Sequence, residues 1–260
     1  MNPIAGRIRR LWPVIRVVWI VAGLVFLIWL YDSFSAKGVD ESILQSDGQI
    51  RVVDTDGAIT FTPKEANPSI GLLFFHGGGV EPLAYAPLIR AVAEKGYSAV
   101  IVKLPYRFAP LDSHRHETIR RGRSVIAQST NLRKWVVAGH SKGGKIAAEF
   151  VRSDRSSVGA LILIATSHPK DFDLSSLTIP VKKISASNDG VAPPPLIRST
   201  KQYLPAGTQW VEIVGGNHSQ FGYYGPQLGD GKATIDRAEQ QRRTRDELLA
   251  TLDALQAGVQ

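Results

Sequence analysis

Between residues 70 and 214 the chain repeats one pattern, a short apolar run followed by a longer stretch with helical spacing. The runs lie at 70–75, 99–102, 135–138, 160–164, 181–184 and 210–214, with helical stretches near 85–95, 117–128, 143–152 and 195–203. Uninterrupted runs suit parallel strands that are covered on both faces. Ahead of them, 50–54 and 58–61 alternate apolar and polar residues around Asp56-Gly57, which predicts a hairpin. Leu248, Leu249, Leu252 and Leu255 mark one face of an amphipathic helix that starts near Thr234. Strands alternating with helices predict an α/β domain, its mostly parallel central sheet flanked by helices. No internal repeat or low-complexity stretch interrupts the pattern.

The N-terminal residues follow a different rule. Residues 17–31 read VVWIVAGLVFLIWLY without a charge, and extension back to Leu11 adds only one Arg and one Pro to the tally. A helix crosses a bilayer with about 20 apolar residues, and Arg16 can extend to the headgroups. Trp12, Trp19, Trp29 and Tyr31 are the aromatics expected near a membrane interface. Arg7, Arg9 and Arg10 precede the stretch, so the positive-inside bias predicts a cytoplasmic N-terminus and an extracytoplasmic domain in a single-pass membrane protein. The alternative is a signal peptide cut after the small residues Ser33 and Ser35, which would release a secreted domain. The length of the stretch and its bulky Trp29-Leu30-Tyr31 end favour the retained anchor. The expected organisation is a basic tail and transmembrane helix at 1–31, a polar linker at 32–48 and an α/β domain at 49–260.

Composition narrows the chemistry. A chain of 260 residues, 43% hydrophobic and 21% charged, has room for a large globular core and excludes a disordered or collagen-like chain. The absence of cysteine excludes disulfides, thiolate metal sites and a cysteine nucleophile. The net charge of +8 is concentrated at the start, where four arginines precede residue 17 without an acidic neighbour. Two further basic clusters, Arg115, Arg120, Arg121 and Arg123, then Arg237, Arg242, Arg243 and Arg245, are interleaved with acids or lie on predicted solvated helix faces. No nucleic-acid partner is expected from them, although anionic lipid headgroups are a natural counterpart for basic residues beside a membrane.

In α/β sheets chemistry collects at the carboxyl ends of strands. The run 135–138 leads into Gly139-His140-Ser141-Lys142-Gly143, and a helix opens behind it. A serine on a tight strand-to-helix turn crowds its neighbours two residues away, which glycines at 139 and 143 relieve. Ser141 is the expected nucleophile, and it needs a base. Of the six histidines, His140 lies inside the turn, His76 begins a glycine loop, and His114 and His116 sit in a charged segment. His168 follows a strand and could line the site. His218, in a glycine-flanked loop after the last strand, is the expected base. The acid should follow a strand between serine and histidine, which favours Asp189 in Ser187-Asn188-Asp189-Gly190; Asp171 and Asp173 are alternatives in a predicted cap loop. The developing oxyanion needs donors. One is the N–H of Lys142 at a helix start; the other comes from His76-Gly77-Gly78-Gly79, with Gly78 preferred to Gly79.

Together these residues resemble the alpha/beta-hydrolase superfamily over about residues 50–255, in the order serine, acid, histidine. The stretch Gly215-Gly-Asn-His-Ser-Gln-Phe-Gly-Tyr-Tyr-Gly225, with 227–240, is similar to a bacterial branch of small hydrolases that often carry an N-terminal membrane segment. The resemblance implies a serine hydrolase that cleaves a carboxylic ester or related acyl bond of a small molecule through an acyl-enzyme, with no metal or organic cofactor. Thioesterase, amidase or acyltransferase activity would use the same triad, and a non-catalytic binding protein could keep the fold. About 37 residues separate Ser141 from the next boundary at 178–180, which leaves space for only a minimal cap near 169–177 and predicts an open, shallow site.

Overall fold

A computed structural model describes residues 3–66 and 68–259. Eight strands form one sheet: β1 (Ile50–Asp54), β2 (Ala58–Pro63), β3 (Ile70–Phe75), β4 (Ser98–Val102), β5 (Lys134–His140), β6 (Val158–Ile164), β7 (Val181–Ala186) and β8 (Gln209–Ile213). Their spatial order is β1-β2-β4-β3-β5-β6-β7-β8. β1 and β2 form the expected antiparallel hairpin, Asp54 opposite Ile59, and β2 joins the sheet antiparallel to β4. All pairs from β4 across to β8 are parallel.

The helices are α1 (Pro3–Phe34), α2 (Ala86–Ala93), α3 (Asp112–Gln128), α4 (Lys142–Ser153), α5 (Pro194–Arg198) and α6 (Arg237–Val259). The period-two geometry of a strand explains the apolar runs. Leu72, Phe74, Val136, Ala138, Ile162 and Ile164 pack with Leu88, Ile89 and Val92 of α2 and with Leu248 and Leu252 of α6. Their sequence neighbours Leu73, Phe75, Val137, Leu161 and Leu163 pack with Ile119 of α3 and with Ile146, Phe150 and Val151 of α4. Each run thus feeds two cores.

Two helix boundaries depart from the sequence expectation. α3 starts at Asp112, five residues before the predicted 117, and the stretch 195–203 splits into α5 and a separate turn at Lys201–Tyr203. The hydroxyls of Ser199 and Thr200 donate to the carbonyls of Leu196 and Ile197 at 2.7 and 2.8 Å. That local bonding competes with a continuing helix. Between β6 and β7, residues 165–180 form no helix or strand, so the cap is minimal.

α1 is one helix whose Leu11–Phe34 stretch is long and apolar enough to cross a membrane or to serve as a signal sequence. Residues 32–48 run along the domain, where Arg90 of α2 donates to the carbonyls of Ile43 and Gln45 and pairs with Asp47.

Candidate active site

Ser141 sits between β5 and α4 with φ 54° and ψ −119°, a left-handed conformation that side chains rarely adopt. A Cβ on Gly139 would lie 2.3 Å from the Gly143 carbonyl oxygen, and one on Gly143 would lie 2.1 Å from the Phe75 carbonyl oxygen. The two glycines therefore admit the turn itself and the close approach of α4 to the end of β3. This refines the steric expectation, because the Cβ that Gly143 lacks would strike β3.

Asp189 follows β7, and His218 follows β8; both are buried. His218 Nδ1 and Asp189 Oδ2 are 2.8 Å apart, while Asp189 Oδ1 accepts the N–H groups of Val191 and Ala192 at 2.8 and 2.6 Å. Two backbone hydrogen bonds hold the carboxylate at Oδ1 and present Oδ2 to the ring. His218 Nε2 is buried without a hydrogen-bond partner among the described residues. No hydrogen bond joins Ser141 to His218 in this structure, although His140, the residue before Ser141, has its ring 4.6 Å from the His218 ring.

On the donor side, Lys142 opens α4, so its N–H lies in the helix turn that has no internal acceptor. The N–H of Gly78 has no partner among the described residues. Gly79, the second choice from the sequence, is different: its N–H donates to the Arg107 carbonyl at 2.8 Å and is already committed, which leaves the preferred Gly78 as the candidate. The acceptor comes from a loop after β4 with three non-glycine residues in left-handed conformation, Tyr106, Arg107 and Ala109.

The other histidines serve packing or the surface. His76 is buried, with Nε2 accepting from Leu104 N–H at 2.9 Å and Nδ1 facing the Gly77 carbonyl at 2.8 Å. Burial lowers its pKa to about 4, so it ties the glycine loop to the end of β4 as a neutral ring. His140 meets the Tyr85 hydroxyl through Nδ1 at 2.8 Å, and burial, followed by the neighbouring His218, holds its pKa well below the usual range. His168 and Asp171 face each other at 3.7 Å in the cap segment, where Asp171 also accepts from Lys145. The alternative acid Asp173 closes a local turn onto Ser175.

Sequence reasoning missed the groups that fix the His218 loop. Asp230 Oδ1 accepts from the N–H groups of His218 (3.0 Å), Gly231 (2.9 Å) and Gly190 (3.3 Å), and its Oδ2 accepts from the N–H and hydroxyl of Ser219 at 2.8 and 2.9 Å. One carboxylate thus bridges the loops of His218 and Asp189. Gln240 of α6, fully buried, accepts from Asn217 N–H at 3.0 Å and donates to the Asn217 carbonyl at 2.7 Å. Asp230 follows a glycine in a loop, like many structural turn aspartates, and carried no distinguishing local signal.

The two arginine clusters are largely ion-paired within the domain, Arg115 with Asp112 and Glu149, Arg121 with Glu117, and Arg242 and Arg243 with Glu239. A cleft of about 470 Å³, lined by Ile59, Leu83, Leu104, Tyr106 and Arg107 among others, shares the β4 loop with the site but contains none of Ser141, Asp189 or His218.

Residues 71–242 match the sequence model described as "Alpha/beta hydrolase family". No curated protein matches the chain at the sequence level. Among solved structures, a ferulic acid esterase from Streptomyces cinnamoneus superposes with a TM-score of 0.62 at 21% identity, over 75% of this chain and 69% of that one. An arylesterase gives 0.57 at 14% identity over 87% and 89%, and Est1E from Butyrivibrio proteoclasticus gives 0.56 at 13% over 79% and 100%. At such identities the likeness speaks for the fold.

Proposed function

The chain belongs to the alpha/beta hydrolase family, and from that membership and the geometry of the site we propose that it is a serine hydrolase of carboxylic esters that works through an acyl-enzyme. The observation that carries this reading is the buried 2.8 Å pair of His218 Nδ1 and Asp189 Oδ2 at the carboxyl ends of β7 and β8, on the same edge of the sheet as the strained Ser141 turn that follows β5. Ser141 Oγ attacks the acyl carbon. His218 takes its proton at Nε2 and returns it to the leaving alcohol, while Asp189 orients the ring and stabilises its cationic form. The N–H groups of Lys142 and Gly78 receive the developing oxyanion, aided by the positive end of α4. Water, activated by the same histidine, then frees the acid. Two of the structural neighbours, a ferulic acid esterase and an arylesterase, bear names that favour an ester over a thioester or amide. The minimal cap leaves an open site suited to short or flexible acyl groups.

In the same reading α1 anchors the enzyme, with its arginine-rich start in the cytoplasm and the domain from residue 49 outside. The test is fluorophosphonate labelling of the full chain in detergent beside Ser141→Ala and His218→Ala. The expected result is a label on the wild type that both variants lose, with ester turnover reduced by about 10⁴-fold or more. Near-normal turnover by Ser141→Ala would overturn the mechanism.

A further inference from the structure

The α1 helix runs on past the apolar stretch through Asp32 and Ser33 to Phe34, and its last turn is already part of the domain surface. The Ser33 carbonyl accepts Gly225 N–H at 2.8 Å, and the Ser33 hydroxyl donates to the Pro226 carbonyl. The Phe34 carbonyl accepts Glu81 N–H at 2.9 Å, and its ring stacks on Tyr224 with centroids 6.2 Å apart. Arg107 lies 4.9 Å from the Tyr31 ring. A Cβ on Gly79 would be 3.6 Å from the Phe34 ring and 3.7 Å from the Phe108 ring, so the helix end and the glycine loop are in near contact.

Two loops grip this helix end, one after β4 and one running from Tyr224 to Asp230. Both expose apolar side chains: Tyr106 (80% exposed), Phe108 (49%) and Leu111 (59%) on or just beyond the first, and Leu228 (70%) on the second. Among the described residues beyond α1, these are four of the seven exposed large apolar side chains, so the exposure is concentrated where the anchor enters. Twenty-four helical residues span about 36 Å against a hydrocarbon core of about 30 Å. With α1 read as an anchor, its last turn, which carries the polar Asp32 and Ser33, is the part that lies in the headgroup layer, and the two loops lie beside it.

We propose that Tyr106, Phe108, Leu111 and Leu228 form a rim seated in the headgroup layer, so that the site takes its ester from the bilayer rather than from bulk water. This rests on the reading of α1 as a membrane anchor and of Ser141 as a nucleophile. The rim's aromatic and aliphatic side chains, with Lys142 3.9 Å above the Phe108 ring, match a boundary that solvates both apolar groups and cations. The substrate class that fits is an amphiphilic ester whose carbonyl resides at that boundary and whose apolar remainder stays in the lipid.

The cysteine-free sequence allows a direct test. Single variants Val21→Cys, Tyr106→Cys, Leu228→Cys and Ser156→Cys, the last on the exposed loop before β6 at the opposite end of the sheet, are labelled with an environment-sensitive fluorophore. The full chain is reconstituted in phosphatidylcholine–phosphatidylglycerol vesicles with lipids carrying quenchers at defined depths. Deep quenching at 21, shallow quenching at 106 and 228 and none at 156 is the expected result. Quenching at 21 with 106 and 228 as unquenched as 156 overturns the rim while leaving the anchor intact. No quenching at 21 overturns anchor and rim together, and a blue shift at 106 and 228 without lipid quenching means that protein, such as a second copy, covers them. The variant Tyr106→Ser/Leu228→Ser is expected to lose about tenfold in turnover of a vesicle-dissolved ester and nothing on a water-soluble short ester; undiminished turnover of the vesicle ester contradicts the proposal. Fluorophosphonate labelling of the same vesicles reports separately on the hydrolase reading.

Discussion

Ser141 and Asp230 illustrate two ways in which one residue can govern a site. Ser141 would act by its own oxygen, whereas Asp230 holds the backbones that place His218 and the turn of Asp189. Removing Asp230 leaves four N–H groups and a hydroxyl without their acceptor, and small displacements of a reacting pair cost on the order of 100-fold in rate. Asp230→Ala is therefore expected to lower kcat by about 10–100-fold with KM nearly unchanged, and Asp230→Asn to recover part of the loss. Steady-state kinetics on a short soluble ester checks this, and a fall confined to KM would contradict it. Lys183 shows the cost of a lone buried cation. It lies inside β7 with its ammonium on Thr200, and burial lowers its pKa to about 7. Between pH 7 and the ordinary value of about 10.4, the unfolded chain binds more protons than the native one, so stability rises with pH across that window. Lys183→Met is expected to exceed the wild type in stability by roughly 2–4 kcal/mol at pH 7, with the gap closing towards pH 10. Urea unfolding of both proteins across that range would show it, and a gap independent of pH would refute it.

At the scale of elements, α1 and α6 each join tasks that the sequence presents separately. α6 buries Leu248 and Leu252 in one core and sends Gln240 to clamp the peptide groups of Asn217, directly before His218. α1 ends by packing Phe34 on Tyr224 and bonding Ser33 to the 225–226 loop, so the helix and the domain form one packed surface. Phe34→Ala is expected to destabilise the domain by about 1–3 kcal/mol through the lost aromatic pair and the space left beside Gly79. Pulse proteolysis of the full chain in detergent across a urea series measures that change; an unchanged midpoint would mean that the helix end is only loosely held. An unbroken apolar stretch marked α1 and amphipathic spacing marked α6, but neither pattern says which loop a polar side chain will grip.

In the whole molecule, the sheet converts local patterns into a site. The apolar runs and their helical partners made the α/β architecture legible, because a strand covered on both faces must be apolar at every position and a parallel neighbour requires a crossover. The Ser141 turn was legible for a similar reason, since its glycines answer a steric demand within five consecutive residues. Asp189 and His218 could be ordered after it by their positions behind strands, but these two residues, 29 apart in the chain, pair only because β7 and β8 lie side by side. What the sequence by itself determined was local: strand and helix periods, the tight turn and an apolar N-terminal helix. Only the tertiary structure decided that Gly79 is already bonded to Arg107, that Asp230 bridges two loops, and that the end of α1 rests against the glycine loop. Each of these depends on which distant segments the sheet brings within hydrogen-bond or contact distance, a property of strand order that no local pattern encodes.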